Sequence, residues 1–461
     1  MTAEGFDTVF QKVLADDRSK LTYPQIIKNY YSKNGYEPVF VMNHLFNGDM
    51  KTAIEYYRKA NEHGLDPKLF HDTALITLVN KLFDTRSIKT LDDAYHTVAE
   101  LEILTANSLI TYANAMQYGI VNPHRIYSRY FIATVRPDSI SMSKVFHIAS
   151  LKTYLDSIQP RDPQYLALQK ALTDGAEAPG MSKEETQRVI ITNLERLRWK
   201  NKPKENKYVI VNIADYRLDV IDSGKSVLHM KVCVGQGRNM DNAKTLMHYD
   251  DTDKIDKPNP HSTPQLNSLI HSVDVNPVWN IPKSIATKEI IVQAANDKFY
   301  LANKGIDVYK DDKLVEDPES IDWSAVSPTN SPYDFKQRPG ADNSLGKIKF
   351  LFNNKSSVYL HDTPAKDAFR KAMRAVSHGC VRLGDPQGLA LNLFGPGDKY
   401  DTIAKDMSED NPESTTINLK SKTPVYITYV TCWADADGAL QVRKDVYGLD
   451  IVLYDFLKNI K

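Results

Sequence analysis

One short segment of the chain combines a cysteine with glycine, histidine and arginine. In Ser377-His-Gly-Cys-Val-Arg382, Gly379 precedes Cys380 directly. A thiol attacks as its thiolate, so it needs a base or a positive neighbour that takes or stabilises its charge. A glycine before the nucleophile allows a sharp turn that aims backbone N–H groups at an oxyanion. The segment predicts nucleophilic catalysis by Cys380, with a buried structural thiol as an equal alternative on chemistry alone.

Two histidines are candidates for the base that serves this cysteine. His361 lies nineteen positions earlier, at the end of a predicted strand, and a hairpin of that length can return the imidazole to the sulfur. His378 lies two positions before Cys380, which suits either a base or a structural support of the loop. We predict His361 as the base, forming an imidazolium–thiolate pair that is available near neutral pH.

The remaining reactive side chains have plainer interpretations. Arg382 carries a fork of donors suited to a carboxylate, although a surface ion pair would explain it equally well. Cys233 and Cys432 lie in apolar strand contexts and are interpreted as inert core thiols. No Cys-x-x-Cys pair or His-Glu-x-x-His helix occurs, so we predict neither a metal nor a cofactor.

Size and composition narrow the class of protein. A chain of 461 residues is expected to form two or three domains. Its 58 basic and 58 acidic residues balance, which argues against a nucleic-acid partner, and three cysteines do not make a disulfide framework. No stretch approaches the ~18 apolar residues of a membrane span. The first ten residues lack a basic leader with an apolar run, which taken alone favours the cytoplasm.

Periodicity divides the chain into a helical half and a β half. Residues 1–200 read as helices, among them one with Asp49 as its N-cap and a linker helix over 181–200, started by a Ser182/Glu185 capping box. From Lys207 onwards, short β-rich runs predict a mainly antiparallel domain over 207–450 that frames the cysteine loop. An insertion at about 283–337 has the position of a lid. A terminal helix is predicted over 451–461.

The histidine and cysteine segments together resemble the signature of bacterial L,D-transpeptidases. That signature is a histidine, an intervening segment, then Ser/Thr-His-Gly-Cys, an apolar residue and arginine or asparagine; here fifteen residues separate His361 from Ser377. The resemblance covers most of residues 20 to 450 and is closest to the large Gram-negative type with a helical scaffold. Its other landmarks are Asn193-Leu-Glu-Arg-Leu-Arg-Trp199, Thr263-Pro264, Asn276-Pro-Val-Trp-Asn-Ile-Pro282, Asn343-Ser-Leu-Gly346 and Tyr359-Leu-His-Asp-Thr-Pro364.

The resemblance implies an α+β fold and a role for each site residue. The fold would be an N-terminal all-α scaffold domain followed by a mainly antiparallel β L,D-transpeptidase catalytic domain with an inserted lid subdomain. His378 is grouped with the catalytic loop without a defined role, because long members often carry serine there. The other assignments are Cys380 as nucleophile, His361 as base, the Asp362 carbonyl as its orienting group, the Gly379 and Cys380 amides as oxyanion hole, and Arg382, Tyr359, Trp279 and Ser377 as substrate-binding residues.

The implied activity is acyl transfer between peptidoglycan stem peptides. Cys380 would release D-alanine from a donor tetrapeptide, and a second stem would resolve the thioester into a direct 3-3 cross-link between diaminopimelate residues. Water or a lipoprotein amine as acceptor would instead give an L,D-carboxypeptidase or a lipoprotein-anchoring enzyme. Carbapenems should acylate the same sulfur. A non-catalytic wall-binding scaffold and a cytosolic thiol enzyme are the alternatives from other classes.

Location and partners follow from the same resemblance. It implies a periplasmic or cell-envelope enzyme whose export signal precedes Met1 in the native gene. The peptidoglycan-binding module that relatives carry between scaffold and catalytic domain is not recognisable, because Gln169-Lys-Ala-Leu172 runs almost directly into the linker. Wall targeting would then fall to the catalytic cleft, to the scaffold or to cell-wall synthesis partner proteins bound by the helical domain.

Overall fold

The N-terminal part of the molecule is a bundle of helices around one long central helix. The structure, a computed structural model, describes residues 3–84, 86–241, 243–327, 331–409 and 412–460. No helix within these ranges is both long and apolar enough to cross a membrane. The helices of this part are α1 (Ala3–Asp16), α2 (Pro24–Lys33), α3 (Val39–His44), α4 (Asp49–Arg58), α5 (Asp72–Phe83), α6 (Leu91–Tyr118), α7 (Pro123–Ile126), α8 (Ser139–Ser143), α9 (Leu151–Ile158), α10 (Pro163–Asp174) and α11 (Lys183–Arg198).

Local capping explains where several of these helices begin and end. Helix α6 begins with a capping box in which Thr90 and Asp93 each bind the other's backbone N–H, and it ends at Gly119. Ser182 caps α11 by accepting the N–H of Glu185, which is one half of the predicted capping box. The predicted Asp49 cap is wrong. Gly48 caps α4 in a left-handed conformation, and the Asp49 carboxylate instead accepts the N–H of Leu151, a long-range contact that local sequence does not reveal.

The second half of the chain is built on a closed β-barrel. Strands β5, β10, β11, β13, β4, β3, β2 and β14 are neighbours in that order, and β14 pairs back onto β5. The pairs β11–β13 and β2–β14 are parallel, and the other pairs of this ring are antiparallel. The strands are β1 (Tyr130–Phe131), β2 (Lys207–Asn212), β3 (Arg217–Asp222), β4 (Lys225–Gly235), β5 (Gln265–Val275), β6 (Trp279–Asn280), β7 (Ile306–Lys310), β8 (Lys313–Leu314), β9 (Tyr333–Gln337), β10 (Ile348–Phe352), β11 (Leu360–His361), β12 (Ala375–Ser377), β13 (Val381–Leu383), β14 (Thr415–Thr428), β15 (Cys432–Ala434) and β16 (Leu440–Val442).

The insertion before the cysteine loop forms a small body with its own core. Strands β6, β9, β7 and β8 make a separate four-stranded sheet. It packs with helices α12 (Lys283–Ile285), α13 (Ile291–Asn296) and α14 (Tyr300–Asn303) around Ile291, Val308, Trp323 and Phe335. A π-helical turn, Ala286–Ile290, joins α12 to α13. The barrel core is distinct from this cluster, so the lid and the barrel are packed independently.

Three further helices complete the catalytic half: α15 (Pro386–Phe394), α16 (Asp398–Ser408) and α17 (Leu449–Asn459). Together these elements confirm the predicted α+β class, with a helical scaffold followed by a β-rich domain. The domain limits 1–200 and 207–450 and the lid limits 283–337 stay predictions.

Helix α11 joins the two halves through buried polar contacts of the Asn193–Trp199 landmark. The Asn193 amide binds both the hydroxyl and the N–H of Thr431, beyond the end of β14. Arg196 forms a buried ion pair with Asp450 of α17. Arg198 reaches back to the scaffold, where Nη1 donates to the His63 carbonyl at 2.7 Å and to the Tyr165 hydroxyl at 2.9 Å. The landmark therefore holds the molecule together and does not itself do chemistry.

We expect Glu195→Gln to destabilise this junction by about 3–5 kcal/mol, because it leaves the fully buried Arg198 without its counter-charge. Glu195 also accepts the N–H of Val121, so the substitution weakens this hydrogen bond together with the ion pair to Arg198. Denaturant midpoints measure the effect. Glu184→Gln removes the exposed partner of Arg188 on the same helix and should cost less than about 1 kcal/mol. Equal midpoints for the two variants would contradict the assignment.

Candidate active site

The register of the barrel strands brings the predicted site residues to one face. Leu360 and His361 of β11 lie opposite Val381 and Arg382 of β13. Leu360 and Val381 are fully buried in the barrel core, and side chains alternate along a strand, so His361 and Arg382 face the other way. Tyr359 shares this outer face, with its ring centroid 5.6 Å from that of His361.

The same row continues across the neighbouring strands. Lys349 of β10 lies opposite His361, and Asp274 of β5 lies opposite Lys349. Lys349 Nζ is 2.9 Å from an Asp274 carboxylate oxygen. On the other side Cys233 of β4 lies opposite Arg382, where it is fully buried and where burial raises its thiol pKa. Sequence analysis missed Lys349 and Asp274 because only strand register relates them to the site.

His361 is held as a neutral base by its surroundings. Its Nδ1 lies 2.5 Å from the Asp362 carbonyl, which can only accept, so the proton is on Nδ1 and Nε2 is left as the acceptor. Burial and the neighbouring Arg382 cation lower the pKa of His361 to about 4. The Asp362 carboxylate is fixed by the N–H of Lys347 at 2.9 Å and by Lys366 Nζ at 2.5 Å. Gly346 has a positive φ of 63° and passes so close to Asp362 that a Cβ would clash.

The surroundings of Cys380 favour a neutral thiol over the expected imidazolium–thiolate pair. Cys380 keeps some solvent-exposed surface, but desolvation raises the pKa of its thiol to about 11. The Tyr359 hydroxyl is within hydrogen-bonding reach of this thiol and of the Trp279 indole. Desolvation and the adjacent Cys380 raise the Tyr359 pKa, so its hydroxyl stays protonated and can donate to a developing anion. Burial of both partners favours thiol and imidazole over the ion pair.

The loop that carries the cysteine is braced by Ser377. Its hydroxyl donates to the Cys380 carbonyl at 2.6 Å and accepts the N–H of Gly379 at 3.1 Å. Gly379 has a φ of 120°, which L side chains rarely adopt. Two expectations change as a result. The Gly379 amide, expected in the oxyanion hole, is bound by the Ser377 hydroxyl, which leaves the Cys380 amide as the other candidate donor. The buried Ser377, expected to contact substrate, supports the loop.

A second loop, unassigned by sequence analysis, supports the cysteine loop from behind. The Thr263 hydroxyl donates to the Gly379 carbonyl at 2.8 Å and accepts the N–H of Gly235 at 2.8 Å. Tyr447 accepts the N–H of Thr263 and donates to the Gly235 carbonyl. The Thr263-Pro264 landmark was recognised as a pattern, but its role follows only from these contacts.

Arg382 is the cation without a partner at this face. Within the described ranges its guanidinium forms no ion pair, and its buried Nε has no hydrogen-bond partner. A buried unpaired donor is costly, so such a group fits a site that an anion completes. His378, the other candidate base, is bound elsewhere: its Nε2 is 2.6 Å from Glu289 of the lid. No group of three or more described His, Cys, Asp or Glu side chains could hold a metal ion.

Comparison with known proteins identifies both halves. Residues 25–172 match the model of the Scaffold domain, and residues 206–427 match that of the YkuD L,D-transpeptidase catalytic domain. A candidate L,D-transpeptidase of Haemophilus influenzae is 30% identical over 248 residues, which are 54% of this chain and 45% of that protein. The match therefore spans less than half of the relative's length.

Two solved structures are also similar. The Ldtfm–avibactam carbamoyl enzyme has 10% identity and a TM-score of 0.20, with 49% of each chain covered. An L,D-transpeptidase from Mycobacterium smegmatis has 12% identity and a TM-score of 0.21, covering 48% of this chain and 58% of its own. The two family models and the Haemophilus relative confirm the resemblance found in the sequence. The chain contains a Scaffold domain followed by a YkuD L,D-transpeptidase catalytic domain.

Proposed function

We propose that this chain is a peptidoglycan L,D-transpeptidase that forms 3-3 cross-links through a thioester on Cys380. One observation carries the proposal: the Cys380 thiol and the His361 imidazole both lie beside Tyr359 and within the electrostatic reach of the unpaired Arg382 guanidinium. The thiol can supply the nucleophile, the imidazole can accept its proton, and the guanidinium can hold an anionic substrate.

Acylation begins with proton transfer from the Cys380 thiol to Nε2 of His361 as the sulfur attacks. The target is the carbonyl at the L-centre of the third residue in a donor tetrapeptide. We assign oxyanion stabilisation to the amide of Cys380 itself and to the Tyr359 hydroxyl, which is within hydrogen-bonding reach of the thiol. The C–N bond to D-alanine then breaks, and the imidazolium returns its proton to the leaving amine. The product is a thioester.

Deacylation uses the same groups in reverse. The side-chain amine of a second diaminopimelate attacks the thioester, His361 takes a proton from that amine, and the C–S bond breaks with return of the proton to the thiol. Water in place of the amine would release a tripeptide, and a lipoprotein amine would give an anchored lipoprotein. A chain that only bound wall material would leave the tetrapeptide intact.

Substrate charge and base strength are coupled through Arg382. The Arg382 cation contributes to the lowered pKa of His361. A substrate carboxylate bound to that guanidinium would offset its charge and raise the imidazole's basicity at the moment the base is needed. The unpaired Nε supports this role, because a carboxylate would satisfy a donor that the protein leaves open. Binding and proton transfer would then occur together.

The proposed reaction implies a location and a class of inhibitor. Stem peptides lie in the cell envelope, so we propose the periplasm as the site of action, with wall-synthesis proteins as partners of the helical scaffold. Carbapenems contain a strained lactam, whose carbonyl should acylate the same sulfur: a C–S bond forms, the ring C–N bond breaks, and a thioester adduct results.

Incubation of the purified protein with disaccharide tetrapeptide, followed by mass spectrometry, tests the function. A dimer formed with loss of D-alanine supports transpeptidation. Formation of tripeptide alone would indicate an L,D-carboxypeptidase and contradict transpeptidation. Unchanged substrate, under conditions where a known L,D-transpeptidase reacts, would overturn the proposal of an enzyme.

We expect Arg382→Gln to raise KM for the tetrapeptide about 10- to 100-fold, because charge-assisted hydrogen bonds are worth about 1.5–3 kcal/mol. Steady-state kinetics measure the change. Arg217→Gln is a matched control, since Arg217 also lies on a barrel strand but pairs with Asp219 away from the site. An unchanged KM in Arg382→Gln would remove this residue from substrate binding.

A further inference from the structure

A polar pair joins the lid to the cysteine loop. His378 Nε2 and a Glu289 carboxylate oxygen are 2.6 Å apart. Glu289 belongs to the π-helical turn of the lid, and His378 lies two residues before Cys380. The pair therefore connects two bodies that have separate hydrophobic cores.

The base of the lid is fixed at a different place. The buried Asn343 amide donates to the Pro277 carbonyl at 3.0 Å and to the Arg338 carbonyl at 2.9 Å. These carbonyls lie on the two segments that lead into and out of the lid, so Asn343 ties them together. The Trp279 indole of β6, two residues after Pro277, also reaches the Tyr359 hydroxyl near this base. A body anchored at its base can therefore move relative to the cysteine loop when the His378–Glu289 pair breaks.

The groups around His378 favour a structural contact with the lid over a role as the catalytic base. Its ring lies against the His261 ring, with centroids 4.5 Å apart, and Nδ1 of His261 is 3.2 Å from the Gln236 side-chain oxygen. Lys288 and Arg129 are the other charged groups near His261. The Glu289 carboxylate is the group that can compensate positive charge in this cluster. π-Helical turns are rare and often lie at functional positions.

We propose that Glu289 is a positioning residue that holds the lid closed over Cys380 through His378. This deepens the proposed function, which makes Cys380 the nucleophile. The pair is partly exposed, with 28% and 49% of the two side chains accessible. Exposed pairs bias an equilibrium only about 2- to 5-fold, so the lid closes by preference but opens readily for a stem peptide.

Thiol alkylation tests this latch without any peptidoglycan substrate. The readout is the ratio of Cys380 labelling rates by a bulky maleimide and by iodoacetamide, because changes in thiol ionisation affect both reagents and cancel in the ratio. We expect Glu289→Lys to raise the ratio about 2- to 5-fold. It should also speed hydrogen exchange in residues 283–296. Glu316→Lys, on an exposed part of the same lid, is the matched control.

A charge swap separates the pair from a general effect of the substitution. The double variant Glu289→Lys with His378→Glu restores opposite charges and should return the labelling ratio towards that of the native chain. The proposal is overturned if Glu289→Lys behaves like Glu316→Lys, or if the swap does not restore the ratio. The two proposals can fail separately. If the labelling ratios behave as expected but the native protein does not convert tetrapeptide, the contact between Glu289 and His378 is supported and the proposed function is rejected.

Discussion

Cys380→Ala should abolish acylation by a carbapenem and lower peptide turnover by at least about 10⁴-fold, because removal of a nucleophile leaves only binding and oxyanion stabilisation. Intact-protein mass spectrometry measures the first effect, with one adduct per native chain and none on the variant. Product analysis with disaccharide tetrapeptide measures the second. The thiol is small and the loop is held by Ser377 and Thr263, so the variant should remain folded.

Cys432 provides the control for this expectation. Cys432 lies in a cluster between the scaffold and the C-terminal helix α17, and burial raises its thiol pKa to about 12. Cys432→Ala should therefore retain the adduct and the turnover. Cys380→Ser should be as inactive as the alanine variant, since a neutral imidazole of low pKa is a poor base for a hydroxyl. An adduct on Cys380→Ala would place the nucleophile elsewhere.

The chemistry of the site was readable from sequence, but its charge state was not. The spacing from His361 to Cys380 predicted that the chain could return the imidazole to the sulfur, and the register of β11 and β13 places His361 opposite Arg382, two residues after Cys380. The neutral resting pair depends on burial, which arises from the barrel, the lid and Tyr359 together. Local sequence carries no information on desolvation by segments so far apart in the chain.

Long-range contacts also explain the other misjudged features. Strand β5 escaped prediction, although it pairs with β1, β10 and β14. Its polar side chains, including Asn267 and Ser268, obscure the strand pattern, and a register shift in its pairings disturbs the alternation. The Asp49 carboxylate resembles a local cap and instead binds α9. The Ser182 cap and the apolar periodicity of the helices were predictable because the interacting residues lie close together in sequence.

Several polar groups of the site lack the partners or the solvent that would stabilise their charged forms. The Arg382 donor lacks a partner, the thiol is desolvated, and the imidazole is kept neutral by burial and by that same cation. An anionic substrate would pair with Arg382 and, by offsetting its charge, raise the pKa of the His361 imidazole. Under the proposed function, this arrangement would make the thiol unreactive towards solvent and reactive towards a bound stem peptide.

His361→Gln should lower the rate of carbapenem acylation by about 10²- to 10⁴-fold, the usual contribution of a positioned general base. The pH dependence is the sharper part of the expectation. A base whose pKa is lowered to about 4 keeps its reactive form as pH falls from 8 to 5.5, and loses it only as pH falls through about 4. The native rate should therefore be nearly flat across that range.

The variant should show the opposite profile. Without the imidazole, reaction depends on free thiolate, and a thiol with a pKa raised to about 11 ionises roughly tenfold more for each unit of pH between 7 and 10. His229→Gln, an exposed residue of β4, is the matched control and should retain the native rate and profile. A native rate that falls with a midpoint near 6.5 would contradict the neutral resting pair, because the proton would then be shared with an imidazole of ordinary basicity.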